Sequence, residues 1–242
     1  VSPTTRRIED LDSRTLESLV TPRRVLILPV GALEAHGPHL PLGADLLQAQ
    51  ATALALAERL DGLVAPGLPY GVCPGTREFP GTVSHSLEAL SLVSEELLED
   101  FYRFGFRRIL ILSGHGHPHH MAALREGAER VLRRYSDLHV AALCDYELVY
   151  ELRGREAPPM DGHGGLLETS RVLALAPDLV RTPQVALIPG VARFRVNPPD
   201  RQEWAESFMG DPRSATPELG RRVQNYVLDR LMELIPAALR LD

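Results

Sequence analysis

The run Arg108-Ile109-Leu110-Ile111-Leu112, closed by Gly114, constrains this 242-residue chain more than any other stretch. Four consecutive apolar residues read as a buried central strand rather than one with a solvated face. Similar short runs recur at Arg24 to Val30, more weakly at Leu63-Val64-Ala65, and at Leu138 to Leu143. Between and after them lie segments of helical period: Ala44 to Leu60, Ser86 to Phe104 with Ser86 placed to cap its start, His120 to Arg134, Gly164 to Ala176, and Glu218 to Leu241. This alternation predicts an α/β fold with a mostly parallel sheet flanked by helices on both faces. Cys144 to Asp161 is polar, carries Pro158 and Pro159, and reads as a mobile loop, while Pro183 to Pro217 shows no clear period. No linker, repeat or low-complexity tract divides the chain, so residues 1–242 are expected to form a single domain with a substantial core.

Charge and cysteine usage narrow the function. Acidic residues number 32 against 26 basic ones, a formal charge of -6, which argues against a surface that neutralises phosphate backbones, so no nucleic-acid partner is expected. All 26 basic residues are arginine, a bias that carries no functional information by itself. Cys73 and Cys144 are too few and too far apart for a disulfide framework, which favours a reducing compartment. No apolar run reaches the roughly 18 residues of a membrane span, and Val1 to Arg7 lacks a signal-peptide core. A cytoplasmic location away from membranes is the expectation.

Ligands of parallel α/β sheets bind beyond the carboxyl ends of the strands, and two clusters fall there. After the first strand, Gly31 to Asp45 holds Glu34, His36 and Asp45 in a loop punctuated by glycine and proline, where a fixed backbone can aim several side chains at one point. Mixed oxygen and nitrogen donors of this kind suit zinc or manganese. Taken alone, Glu34 and His36 read equally well as solvated loop residues. After the central strand, Ser113 to His120 carries His115, His117, His119 and His120, at the same end of the sheet if the strands are parallel. His119 and His120 are expected at a helix start or on the surface. A third cluster, Asp161 to Ser170, sets glycines around His163 and places Glu168 on the first turns of a helix, as a ligand or as a carboxylate favoured by the helix dipole.

Together these residues resemble the creatininase (creatinine amidohydrolase) family. Gly31 to Asp45 is similar to its Gly-Ser-x-Glu-x-His-Gly-Pro-His-Leu-Pro-Leu-x-x-Asp motif, with Ala32 in the serine place. The second and third clusters are similar to its Asn-Gly-His-Gly-Gly-Asn and Asp-x-His-Ala-Gly-x-x-Glu-Thr-Ser, and Phe79 to Thr82 and Gly210 to Thr216 also match, so the resemblance runs from about Arg24 to Arg222. It implies two adjacent divalent metals, zinc or manganese, acting on a small cyclic or linear amide, and a homo-oligomer, with hexamers usual in the family. Carried over by position, it makes Glu34, His36, Asp45 and His115 metal ligands, with Asp45 bridging the ions. Glu168 would lie at or beside the metals, and His163 would serve the substrate or proton transfer. Cys73, His117 and Asp161 are expected at the substrate.

The departures leave choices open. Ser113, His117 and Pro118 stand where the second motif has Asn, Gly and Asn, and relatives with a glutamate at the place of His117 use it to bind metal. Either His117 or Glu168 therefore completes the second metal's shell. Cys73 and then Gly75-Thr76 stand upstream of Phe79, where relatives often carry Ser and then Glu-His, which implies different substrate contacts. The expected reaction is attack of a metal-activated water on an amide carbonyl, with His163 returning a proton to the departing nitrogen. Neither cysteine has an obvious histidine partner in sequence and no Gly-x-Ser-x-Gly elbow occurs, which disfavours covalent catalysis. The alternatives are trimming of a peptide that becomes a redox cofactor, or a metal-retaining binding protein without turnover.

Overall fold

A computed structural model of the chain describes residues 5–182, 204 and 206–241. The expected apolar runs form four strands, β1 (Val25–Val30), β2 (Leu63–Val64), β3 (Arg108–Ser113) and β4 (His139–Cys144), all parallel in the order β2-β1-β3-β4. Residues 25–30 of β1 and 109–113 of β3 are buried without alternation, as strands covered on both faces must be. Val30 pairs with Ser113, and Ser113 with Cys144, so three strands end level along one edge.

The helices are α1 (Ser13–Leu19), α2 (Ala44–Leu60), α3 (Leu87–Phe104), α4 (Pro118–Leu132), α5 (Asp145–Val149), α6 (Leu166–Leu175) and α7 (Pro217–Leu239). Right-handed crossovers put α2, which links β1 to β2, on one face, and α3 and α4, which lead toward β3 and β4, on the other. The packing agrees: α3 lies against α4, while α2 contacts α6 and α7. The α6 and α7 backbones approach so closely that a Cβ at Gly220 would fall 1.9 Å from the Ser170 carbonyl oxygen. The main apolar core runs from Leu19 to Leu239. No helix of the described residues is long and apolar enough to cross a membrane.

The elements differ from the sequence reading in three places. Cys144 to Asp161 contains α5 and a 3-10 turn at Tyr150–Leu152, and Tyr146, Leu148, Val149 and Leu152 are buried. Interleaved Asp145, Glu147 and Glu151 gave that segment its polar look, although its apolar residues share a helical face. The fourth helix starts at Pro118 rather than His120, because a proline suits the first helical position, whose N–H lacks an intrahelical acceptor. The short α1, capped by Asp12, was not expected. Of the aperiodic Pro183 to Pro217 stretch, residues 183–203 and 205 lie outside the described residues.

Candidate metal centre

The chain leaves β1 toward β2 and leaves β3 in the opposite direction toward β4, so the crevice at their carboxyl ends is the switch point of the sheet. The β1 loop is tied back by the Glu34 N–H, which donates to the Leu42 carbonyl at 2.9 Å. It feeds α2, with Asp45 in the first turn. The loop after β3 is drawn onto that turn: a Cβ at Gly114 would lie 2.1 Å from the Asp45 carbonyl oxygen, so only glycine permits this approach. The first two sequence clusters thereby meet.

Two sets of donor atoms form there, both buried. His115 Nδ1 lies 2.9 Å from Glu34 Oε2 and 3.2 Å from Asp45 Oδ2. His36 Nε2 lies 3.0 Å from Asp45 Oδ1 and 3.7 Å from Glu168 Oε1. Each carboxylate oxygen of Asp45 thus faces a different imidazole. The far nitrogen of each ring meets a backbone carbonyl, His36 Nδ1 at Glu34 (3.0 Å) and His115 Nε2 at Val72 (3.1 Å). Carbonyls only accept, so in each neutral ring that nitrogen carries the proton and the bare nitrogen faces carboxylates. Lone pair against anion requires a cation between them.

A divalent ion fits this requirement. Glu34 Oε2 and Asp45 Oδ2 are buried, and neither is satisfied by a hydrogen bond of good geometry, although His115 Nδ1 lies near both. Ligands about 2.1 Å from one ion sit roughly 3 to 3.4 Å apart, close to the two spacings from His115, and donor atoms of His36, Asp45 and Glu168 all lie within 4.8 Å of one another. Without an ion, protons take its place. Burial disfavours a charged His36, but Asp45 and Glu168 outweigh it and push the imidazole up to about 10. For His115, burial is likewise outweighed, chiefly by the Glu34 charge, and the ring is held well above the usual histidine range. Burial opposes ionisation of Glu34 too, yet the His115 and His163 charges hold it well below the usual carboxylate range.

Outer contacts hold the donors in place. Thr76 Oγ1 donates to Glu34 Oε1 at 2.5 Å, and Glu168 accepts from Gln48 Nε2 at 3.0 Å and from the Gly164 N–H at 2.7 Å. Such partners orient ligands and raise their basicity. His163 Nε2 meets the Ala35 carbonyl at 2.8 Å, and its ring stands 4.1 Å from that of His36. Above the donors opens a cavity of about 220 Å³ lined in part by His163, Tyr146, Tyr150, Trp204 and Met209.

The remaining candidates fall in different places. Asp161 caps α6, its two oxygens accepting from the Leu166 and Leu167 N–H groups, and is not part of the cavity wall. Cys73 lies behind His115, Sγ 3.6 Å from Nε2, rather than at the cavity. The histidine partner missing in sequence is therefore supplied by the fold, but burial pushes the thiol pKa up, away from nucleophilic use. Its sulfur also lies within 4.8 Å of donor atoms of Glu34 and His115. His117 lines the cavity and caps α4, Nδ1 accepting from the His119 N–H at 3.2 Å, and belongs to neither donor set. His119 is exposed, whereas His120 is buried between Ser113 Oγ and the Val72 N–H. Gln48, Tyr146 and Trp204 escaped the sequence reading. Gln48 stands one turn after Asp45 and Tyr146 just past the end of β4, positions that the strand-end rule flags.

The profile of the creatininase family, described as creatinine amidohydrolase, matches residues 9–235. The chain belongs to the creatininase family. This bears out the resemblance carried by the motifs and the α/β fold expected with it. The creatinine amidohydrolase of Pseudomonas putida is 32% identical over 233 residues, covering 87% of this chain and 88% of that one. The mycofactocin precursor peptide peptidase of Mycolicibacterium smegmatis is 31% identical over 232 residues, 87% of this chain and 83% of its own. A solved structure named "Creatininase Mn" superposes with a TM-score of 0.87 at 29% identity, over 98% of this chain and 99% of that one. In this creatininase-family chain Glu34, His36, Asp45 and His115 converge at the end of the sheet.

Proposed function

We propose that this creatininase-family protein is a metal-dependent amidohydrolase that cleaves the C–N amide bond of a small cyclic or linear amide other than a peptide bond. The observation that carries the reading is the pair of imidazoles that turn one nitrogen to a backbone carbonyl and the other to Glu34, Asp45 and Glu168. Glu34, Asp45 and His115 would hold one divalent ion, and His36, Asp45 and Glu168 the other, zinc or manganese by donor chemistry. When bound, such ions polarise an amide carbonyl and make water acidic enough to attack near neutral pH.

The chain's own residues do the rest. Thr76 holds Glu34 in place, and Gln48 with the Gly164 N–H holds Glu168, so the donors need little rearrangement. His163 keeps its Nε2 proton on the Ala35 carbonyl, leaving Nδ1 to accept a proton and return it to the departing nitrogen. His117, at the cavity wall, belongs to the substrate side. The two buried free cysteines fit a reducing, cytoplasmic setting, and a homo-oligomer is the expected assembly.

A second reading, hydrolysis of a peptide bond in a short precursor, is favoured by the likeness to the mycofactocin precursor peptide peptidase. One experiment separates these readings: metal analysis of purified protein, joined to a screen of cyclic amides, formamides and short peptides before and after chelation. Turnover of non-peptide amides that is lost on chelation and restored by zinc or manganese is expected. Metal-loaded protein that hydrolyses none of them refutes the amidohydrolase reading, and turnover confined to peptides selects the second.

A further inference from the structure

His117 ends the loop after β3 and stands at the wall of the cavity. Its ring is nearly parallel to that of His115, with 13° between the planes and 6.2 Å between the centroids. The two nitrogens of His117 have separate duties. Nδ1 accepts the His119 N–H at 3.2 Å, which neither an imidazolium nor the other neutral tautomer can do, so the ring is neutral and its one proton sits on Nε2. That N–H meets no acceptor among the described residues.

The other side-chain donors of the wall are committed elsewhere. Thr76 Oγ1 donates to Glu34, and His163 Nε2 to the Ala35 carbonyl. The Tyr146 hydroxyl donates to the Gly162 carbonyl at 3.2 Å, and the Trp204 indole N–H to the Phe208 carbonyl at 2.9 Å. The Tyr150 hydroxyl accepts from Arg153 and turns about its C–O bond, so its proton has no fixed direction. His117 is left as the lining side chain with a free N–H whose direction the ring and the cap fix. A donor set in advance costs no reorganisation when charge develops on an oxygen in front of it.

We propose that His117 is a catalytic residue whose Nε2–H receives the substrate's amide oxygen and the negative charge that gathers there when water adds. In that step the water oxygen bonds to the carbonyl carbon, the C=O π pair moves onto the amide oxygen, and the proton that water gives up goes to His163 Nδ1. The pair then returns, the C–N bond breaks, and that proton leaves with the nitrogen. His117 keeps its own proton throughout. This deepens the amidohydrolase reading and rests on it for the bond broken.

The test separates the two nitrogens of the ring. In His117→Asn the side-chain oxygen still caps α4, since asparagine is among the best caps, but no N–H extends to the place of Nε2. In His117→Gln the amide N–H group does extend there. Zinc-loaded wild type and both variants are compared by metal content, and by kcat and KM for N-ethylformamide, hydantoin and any other amide that the screen finds to be turned over. Calorimetric binding of methylphosphonate, a tetrahedral oxyanion, is measured beside them. His117→Asn is expected to keep its metal, to lose about 100-fold in kcat with KM little changed, and to bind methylphosphonate about tenfold or more weakly. His117→Gln recovers roughly tenfold of that kcat. Should His117→Asn fail to fold, His117→Ser, which also caps, takes its place. If no amide of the screen is hydrolysed while methylphosphonate affinity still depends on His117, the amidohydrolase reading falls and the oxyanion donor stands. Parent-level kcat or methylphosphonate affinity in His117→Asn, loss of its metal, or a His117→Gln variant no better than it overturns the proposal.

Discussion

Arg171 and Asp145 form a 2.6 Å ion pair in which both side chains are wholly buried. Thr52 and Gln224 share the same guanidinium, so α2, α5, α6 and α7 meet at this pair. Arg171 stands three residues after Glu168 on α6, and Asp145 immediately precedes Tyr146 of the cavity wall. Removing one partner of a buried pair strands the other charge, at a cost of about 3 to 5 kcal/mol. Asp145→Ala is therefore expected to lower the free energy of unfolding in denaturant by about that amount. A change well under about 1 kcal/mol would mean that the pair holds nothing together.

Asp45→Asn is expected to empty both metal positions. The two oxygens of Asp45 face His115 and His36 separately, and a neutral amide cannot serve two cations as an anionic carboxylate does. Elemental analysis that finds full occupancy in this variant rules out a bridging Asp45.

Glu168→Gln and His117→Gly should part company. Glu168 lies in the second donor set, so its neutral variant loses one ion preferentially. His117 caps α4 instead, and its replacement by glycine should cost only a few tenths of a kcal/mol in stability while leaving metal content at the parent level. Lower metal content in His117→Gly would return that histidine to the coordination shell.

Metal uptake should release protons and tighten as pH rises. Without metal, His36 stays protonated until about 10, and His115 is also held well above the usual range. An ion must displace these protons at neutral pH, so roughly two are expected per filled centre. Calorimetry in buffers of different ionisation enthalpy counts them. Binding that is independent of pH between 6 and 9, with no proton release, contradicts this charge state.

Much of the fold, and the donors that converge in the candidate site, were legible in the sequence, because the signals are local. Unbroken apolar runs such as Ile109 to Leu112 mark strands covered on both faces, Ser86 marks a helix start, and Glu34, His36 and Asp45 lie within a span of twelve residues in the loop and first helical turn that follow a strand. Strand-end logic then places His115 on the same edge. What sequence spacing leaves open is which atoms converge across long separations. Glu168 and His117 are comparable candidates on paper, since each lies within a few residues of glycines in a cluster that resembles a family motif. Tertiary packing sets them apart: Gln48 and the Gly164 N–H hold Glu168 near His36, while the start of α4 at Pro118 makes His117 a cap. Asp161 is drawn the same way to the free N–H groups of α6. A side chain's chemistry is written in the sequence, but the direction it faces depends on which unsatisfied backbone and buried polar groups the fold brings beside it.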